Sequence, residues 1–322
     1  MNRRDVLGGG VAVAAGSVLV RSARAERSFD RFRVAEWEAR RRWLATRFGR
    51  IAYVDAGRGV PALFLHGYPL SGFQWRGAIE QLSLFNRCIA PDFLGLGMTE
   101  AAPDQPLDAA SQTAMLVALL DALKLARVHV VASDSGIAVA QLLAVRHPAR
   151  VRSLLLTNGD TERQSPPAAM RPVIALARAG RYAREWLEPW HRDPVLARRA
   201  DQFGGLCYAD PRNPTDEAIA MYFGPVLANA ERRRQVEAHA VAQETNALAG
   251  ITPLLAACPV PARVLWGVDD TIFDGANADF LDRAFAQSRG VRRIPGAKLF
   301  WPEERPGLIA EEAGRLWGEV RS

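Results

Sequence analysis

The stretch Val128 to Ile137 reads V-H-V-V-A-S-D-S-G-I, and the fold turns on how it is interpreted. An apolar strand-like run ends at Ala132 and a helical pattern starts after Gly136, so Asp134 falls on the turn between them. The spacing Ala132-x-Asp134-x-Gly136 flanks a candidate nucleophile with small residues. A sharp strand-to-helix turn requires this, because neighbouring backbone passes close by while one side chain is pushed up and outward. The pattern is that of a nucleophile elbow with Asp at its centre. Ser133 and Ser135 fit less well, since centring on either puts Val131 or Ile137 at a tight position. The competing interpretation is a solvated turn carrying an Asp helix cap.

Outward from this turn, strand-like runs alternate with helical patterns. Trp43 to Ala56 reads as a hairpin about Gly49-Arg50, Pro61 to Leu65 as a buried parallel strand, and Arg87 to Ala90 and Val151 to Thr157 as further strands. Helical patterns cover Trp75 to Leu84 and Leu107 to Leu125. Thr161 to Pro259 contains helical stretches, Pro-rich joints and many aromatics, and reads as a helical insertion. Strands return at Ala262 to Trp266 and Val291 to Ile294, with helices near Ala276 to Ala286 and from Pro306. The expectation is an α/β fold: a mostly parallel eight-stranded sheet flanked by helices, with an inserted helical cap. The expected segments are a leader at 1–25, core at 26–158, cap at 159–259 and core again at 260–322.

The leader follows from Arg3-Arg4, an apolar, glycine-rich run from Val6 to Val20, and the small-x-small site Ala23-Arg24-Ala25. That is a twin-arginine export signal, and the run is too short to span a bilayer comfortably, so a periplasmic or secreted protein with no stable membrane insertion after cleavage is expected. The leader holds four arginines and one aspartate, so the +6 of the 322-residue chain is partly an export feature. Lys124 and Lys298 are the only lysines, and no basic run is interleaved with aromatics, so nucleic acid is not an expected partner. Cys88, Cys207 and Cys258 are too widely spaced for a disulfide framework or a zinc site, and no metal or cofactor is expected.

Four motifs in this order, L-H-G-Y-P-L-S-G-F-Q-W-R, R-C-I-A-P-D-F-L-G-L-G, the S-D-S-G elbow and L-W-G-V-D-D-T-I-F, resemble the α/β-hydrolase superfamily. The similarity runs from Trp43 to Trp317 and is to the haloalkane dehalogenase and epoxide hydrolase branch, whose nucleophile is Asp. The resemblance implies Asp134 as nucleophile, Asp270 as the acid, and an oxyanion hole at Tyr68 and Ser135 with His66 and Gly67 shaping its loop. Asn158, from its place at a strand end, and Leu299, Phe300 and Trp301, from the stretch in which relatives carry the catalytic histidine, are candidate substrate-lining residues.

Two departures stand out. Where the dehalogenases carry halide-gripping Trp and Asn, this chain has Ser135 and Tyr68. Where relatives carry the catalytic His, it reads I-P-G-A-K-L-F-W, with Leu299 at that position and Lys298 and Glu303 as ionisable neighbours. An ester on Asp134 needs a base to activate water, and Leu cannot accept a proton. Three functions are compatible with this set. The first is a hydrolase of small, largely apolar substrates with a non-standard base. The second is a lyase or isomerase using Asp134 as general base, and the third a ligand-binding protein that keeps only the pocket.

Overall fold

In a computed structural model that describes residues 33–318, strand Val128–Asp134 runs into helix Gly136–Arg146 with Asp134 on the turn. The leader expected at 1–25 lies outside the described residues. Nine strands form one sheet: β1 (Arg41–Thr46), β2 (Gly49–Ala56), β3 (Val60–Leu65), β4 (Asn86–Pro91), β5 (Glu100–Ala101), β6 (Val128–Asp134), β7 (Val151–Gly159), β8 (Ala262–Gly267) and β9 (Ser288–Ile294). Their order is β1-β2-β4-β3-β6-β7-β8-β9, with the two-residue β5 added on β2. The pairs involving β1 and β5, and β2 with β4, are antiparallel, and all others are parallel. Eight strands were expected; β5 is the extra one, too short to leave a periodic trace in sequence.

The central strands are apolar along their length because helices cover both faces. Leu63, Phe64, Leu65, Val130, Val131, Leu154, Leu155 and Leu156 are fully buried. Parallel pairing of β3, β6, β7 and β8 brings their C-terminal ends to one edge. That edge gathers His66 to Tyr68, Asp134, Asn158 to Asp160 and Gly267 to Asp270, the positions at which an open α/β sheet receives ligands.

Between β7 and β8 the chain forms helices, the longest being Met170–Arg178, Asp216–Leu227 and Ala230–Ala242. The last two start at side-chain caps, Thr215 accepting from the Ala218 N–H and Asn229 from the Arg232 N–H. Met170–Arg178 packs on Ala230–Ala242. A buried ion pair ties these helices to the core. Arg76 meets Glu303 at 2.7 Å, and Glu303 also accepts from the hydroxyls of Tyr208 and Tyr222, each at 2.8 Å. From Arg40 onward, sheet and inserted helices form one compact unit, and the described residues before it are helical. Among the described residues, no helix is long and apolar enough to cross a membrane.

Candidate active site

The elbow is as tight as its small residues suggest. Asp134 has φ 55°, a left-handed conformation that an L residue adopts only when its surroundings hold it there. A Cβ on Gly67 would lie 2.5 Å from the Asp134 Cβ, and one on Gly136 would lie 2.6 Å from the His66 carbonyl oxygen. Both glycines therefore let two loops close on the carboxylate. Pairing of β6 with β7 slips between Ala132 and Asp134, which releases the turn from the ladder.

The Asp134 carboxylate is 8% exposed, and its Oδ1 accepts two backbone N–H bonds, from Tyr68 at 2.9 Å and Ser135 at 2.6 Å. Burial pushes its pKa up, and these two donors oppose the rise. The arrangement has a chemical consequence. Both donors grip an oxygen of Asp134 itself, so the oxyanion they are placed to stabilise is one formed on that carboxyl group. They are not free to hold an enolate oxygen of a substrate, as the general-base alternative would require.

Of the other oxyanion-loop residues, neither His66 nor Gly67 donates to Asp134. The Gly67 N–H donates to the Gln74 side chain at 3.1 Å. The His66 ring donates through Nδ1 to the Gly67 carbonyl at 2.8 Å, and Nε2 accepts from the Phe93 N–H at 3.0 Å. With both nitrogens engaged and burial lowering its pKa, His66 shapes the loop and has no proton to exchange.

Asp270 accepts from the Asn158 amide at 2.9 Å and the Ile272 N–H at 2.8 Å. Burial raises its pKa to about 6, these donors opposing. Asn158 and Trp301 do not line the cavity, contrary to expectation. Asn158 exchanges bonds with Gly267 at 2.9 and 2.7 Å, and the Trp301 Nε1–H donates to its side-chain oxygen at 3.1 Å. The two are fully buried behind the acid and brace it. Position along the chain, a strand end for Asn158 and the stretch after the last strand for Trp301, says where a residue lies but not which way its side chain is drawn.

A cavity of about 230 Å³ lies over Asp134. Its walls include Tyr182, Trp186, Phe203, Phe273, Leu299 and Phe300. Of the cap aromatics, Tyr208, Tyr222 and Phe223 are packed away from it. Lys298 points elsewhere, its Nζ donating to the Gly205 carbonyl at 2.5 Å, and Glu303 is held in the buried ion pair. Neither is available as the missing base.

Among the described residues, no histidine lines this cavity. His129 bonds Ser153 at 2.7 Å and stacks on Trp317, His147 ends the elbow helix, and His191 lies beside Gly224 in the cap. His239 stacks on Tyr68 and donates through Nδ1 to the Leu94 carbonyl at 2.9 Å, with burial lowering its pKa to about 4. The residue that sequence reasoning missed is Asp160. It is 4% exposed, lines the cavity with Asp134, and burial together with the Asp134 charge pushes its pKa well up. Its place two residues after Asn158, at the same strand end, was the available signal.

Comparison with known proteins agrees with this geometry. A family model described as alpha/beta hydrolase fold matches residues 61–301. The chain is 29% identical over 284 residues to haloalkane dehalogenase 2 of Mycobacterium bovis, covering 84% of this chain and 92% of that protein. Among solved structures, haloalkane dehalogenase DbeA from Bradyrhizobium elkani superposes with a TM-score of 0.69 at 25% identity, over 86% of this chain and 97% of that one. Epoxide hydrolase CorEH superposes with a TM-score of 0.71 over 87% and 99%; at 21% identity this likeness speaks to fold alone. With its mostly parallel sheet, inserted helices and tight strand-to-helix turn, the chain belongs to the α/β-hydrolase fold family, as a hydrolase similar to the haloalkane dehalogenases.

Proposed function

We propose that this protein hydrolyses a small, largely apolar electrophile in two steps through an ester on Asp134. In the first step the free Oδ2 attacks a substrate carbon while Oδ1 stays in the grip of Tyr68 and Ser135. In the second, water attacks Cγ of the ester, and the same N–H pair holds the charge that develops on Oδ1. The observation that carries this reading is the seating of Oδ1 at 2.9 and 2.6 Å from two backbone nitrogens, which suits an oxyanion on the aspartyl carbon. The aromatic cavity favours apolar substrates, and similarity to haloalkane dehalogenases points the same way. The absence of Trp and Asn at Ser135 and Tyr68 argues against a halide as the natural leaving group.

Turnover in ¹⁸O-labelled water tests it, with alkyl bromides, epoxides and esters as probes. Under single-turnover conditions the label is expected in the Asp134 peptide, because water attacks the aspartyl carbon. Label found directly in product, with none on Asp134, would mean that Asp134 acts as a base. Asp134→Asn is expected to abolish ester formation. We also propose export by the twin-arginine route, on the strength of Arg3-Arg4 and Ala23-Arg24-Ala25.

A further inference from the structure

Beside the main cavity lies a second, smaller one of about 30 Å³, enough for a water, which needs roughly 10–15 Å³. The two share Asp160 and Gln243, and the smaller is also lined by Ser135, the residue after the nucleophile, and by His239. The His239 Nδ1 is committed to the Leu94 carbonyl and burial lowers its pKa to about 4, so it is too weak a base to compete with an ionised carboxylate beside an ester. Gln243 Nε2 is buried there and makes no hydrogen bond to protein. A carboxyl group, an uncommitted amide donor and a hydroxyl thus line a water-sized space that adjoins Ser135 and shares Asp160 with the cavity over Asp134, and a buried water requires two to four polar partners of this kind.

The backbone fixes Asp160 in this place. Gly159 pairs with Asp134 across β6 and β7, the Asp160 N–H reaches the Asp134 carbonyl at 3.4 Å, and Gln141 donates to the Asp160 carbonyl at 2.9 Å. The other ionisable groups on the main cavity fit proton transfer less well. Asp201 is exposed. The Tyr68 hydroxyl donates to the Val236 carbonyl at 3.0 Å. Burial drives the Cys207 thiol and the Tyr182 hydroxyl well up, so neither can become a base.

We infer that Asp160 is the proton carrier of this enzyme, in place of the histidine whose position Leu299 fills, and that the small chamber it shares with Gln243 and Ser135 seats the hydrolytic water. The inference rests on Asp134 forming an ester. The proton balance closes for a strained cyclic ether. Asp134 Oδ2 bonds to the carbon, the carbon–oxygen bond opens, and the released oxygen takes the proton of Asp160. That leaves Asp160 ionised beside an ester. It then takes a proton from water as the water oxygen bonds to Cγ, and Oδ1 carries the negative charge. Collapse breaks the bond between Cγ and Oδ2, which leaves with the alkyl group, and Asp160 returns its proton to that departing alkoxide. The carboxyl formed on Asp134 gives up the other water-derived proton to Asp160, and the diol leaves. Burial and the Asp134 charge both favour the neutral form of Asp160 at the start, and esterification removes that charge when a base is needed.

Asp160→Asn, checked for folding by its thermal melt, separates the steps. With 1-bromobutane the leaving group takes no proton, and Asp160 releases its own to solvent once the ester has removed the Asp134 charge; the variant is expected to alkylate Asp134 normally and accumulate a stoichiometric adduct by intact mass. Ester breakdown should be slower by about 10²–10⁴-fold, the usual contribution of general acid–base catalysis. With styrene oxide, ester formation should slow as well. Gln243→Leu, which leaves both carboxyls, is expected to slow ester breakdown and spare ester formation, and it carries the test if the first variant does not fold. Wild-type rates of ester breakdown in the variants would overturn the inference and leave the ester mechanism standing. So would a wild-type ester that never hydrolyses. No adduct, no product and no label on Asp134 in wild type would remove the ester mechanism, and this inference with it.

Discussion

Asp270 and Leu299 together pose the question of what an acid does without the imidazole it would orient. Asp270 retains its partners, Asn158 and the Ile272 N–H, yet its pKa of about 6 records a net penalty of burial on the charged form. In the unfolded chain the group ionises at the ordinary aspartate value of 3.8, so over the window from about 4 to 6 the folded state holds a proton that the unfolded state has released. Stability from this group is therefore lost as pH rises through that window, by about 3 kcal/mol at 1.36 kcal/mol per pH unit. Denaturant unfolding of wild type and Asp270→Asn at pH 4 and pH 7 should show the variant gaining by that order relative to wild type; a pH-independent difference would contradict it. Leu299→His places an imidazole in the cavity wall. It is expected to raise the rate of ester breakdown without changing ester formation, as read by the amplitude and rate of a product burst. No change would mean that Asp270 is held too firmly by Asn158 to orient the ring.

At the level of elements, the join between cap and core is a buried cluster. Arg76, the first residue of the helix Arg76–Leu82, pairs with Glu303 in Trp301–Glu304, and the cap supplies Tyr208 and Tyr222. The side chains of Arg76 and Glu303 are 7% and 2% exposed, so removing one charge strands the other in low dielectric. Glu303→Gln is expected to lose about 3–5 kcal/mol of stability by denaturant unfolding, the range found when a buried pair is broken. Arg76→Met combined with Glu303→Leu should recover much of that loss. A single variant as stable as wild type would show that the pair is not what fastens the cap. Packing between Phe203, Phe223, Phe300 and Trp190 supports the same join, with ring centroids 5.3 to 6.0 Å apart. The strands are legible in the sequence because a strand buried on two sides needs an apolar run, as in Pro61 to Leu65 and in the three leucines at the centre of Val151 to Thr157. Element ends were less so: the helical pattern read from Leu107 starts at Ala109, because the Asp108 side chain caps it by accepting from the Ser111 N–H.

For the whole molecule, the twin-arginine leader makes a prediction independent of the active site. Replacing Arg3 and Arg4 by Lys should leave the protein in the cytoplasm of a host with a working twin-arginine system, whereas the unaltered chain is expected in the periplasm at the mass of a product starting at Glu26. Equal distribution of both forms on fractionation would remove the export proposal. What the sequence determined by itself was the local part: the Ala132-x-Asp134-x-Gly136 elbow, the order of strand ends, the missing histidine at Leu299, and the helical insertion. The elbow, the strand order and the insertion follow from periodicity and from the steric demands of a tight turn, which act over a few neighbouring residues; the leucine in place of histidine at 299 follows from the family resemblance alone. What tertiary structure alone decided is which polar groups face one another. Asn158 and Trp301 turned inward to brace Asp270, Glu303 went to Arg76, and Asp160 came to share a cavity with Asp134. Such choices depend on strand register and on helices contributed from distant sequence, because a side chain at a strand end is drawn toward whatever partners the rest of the fold brings within reach.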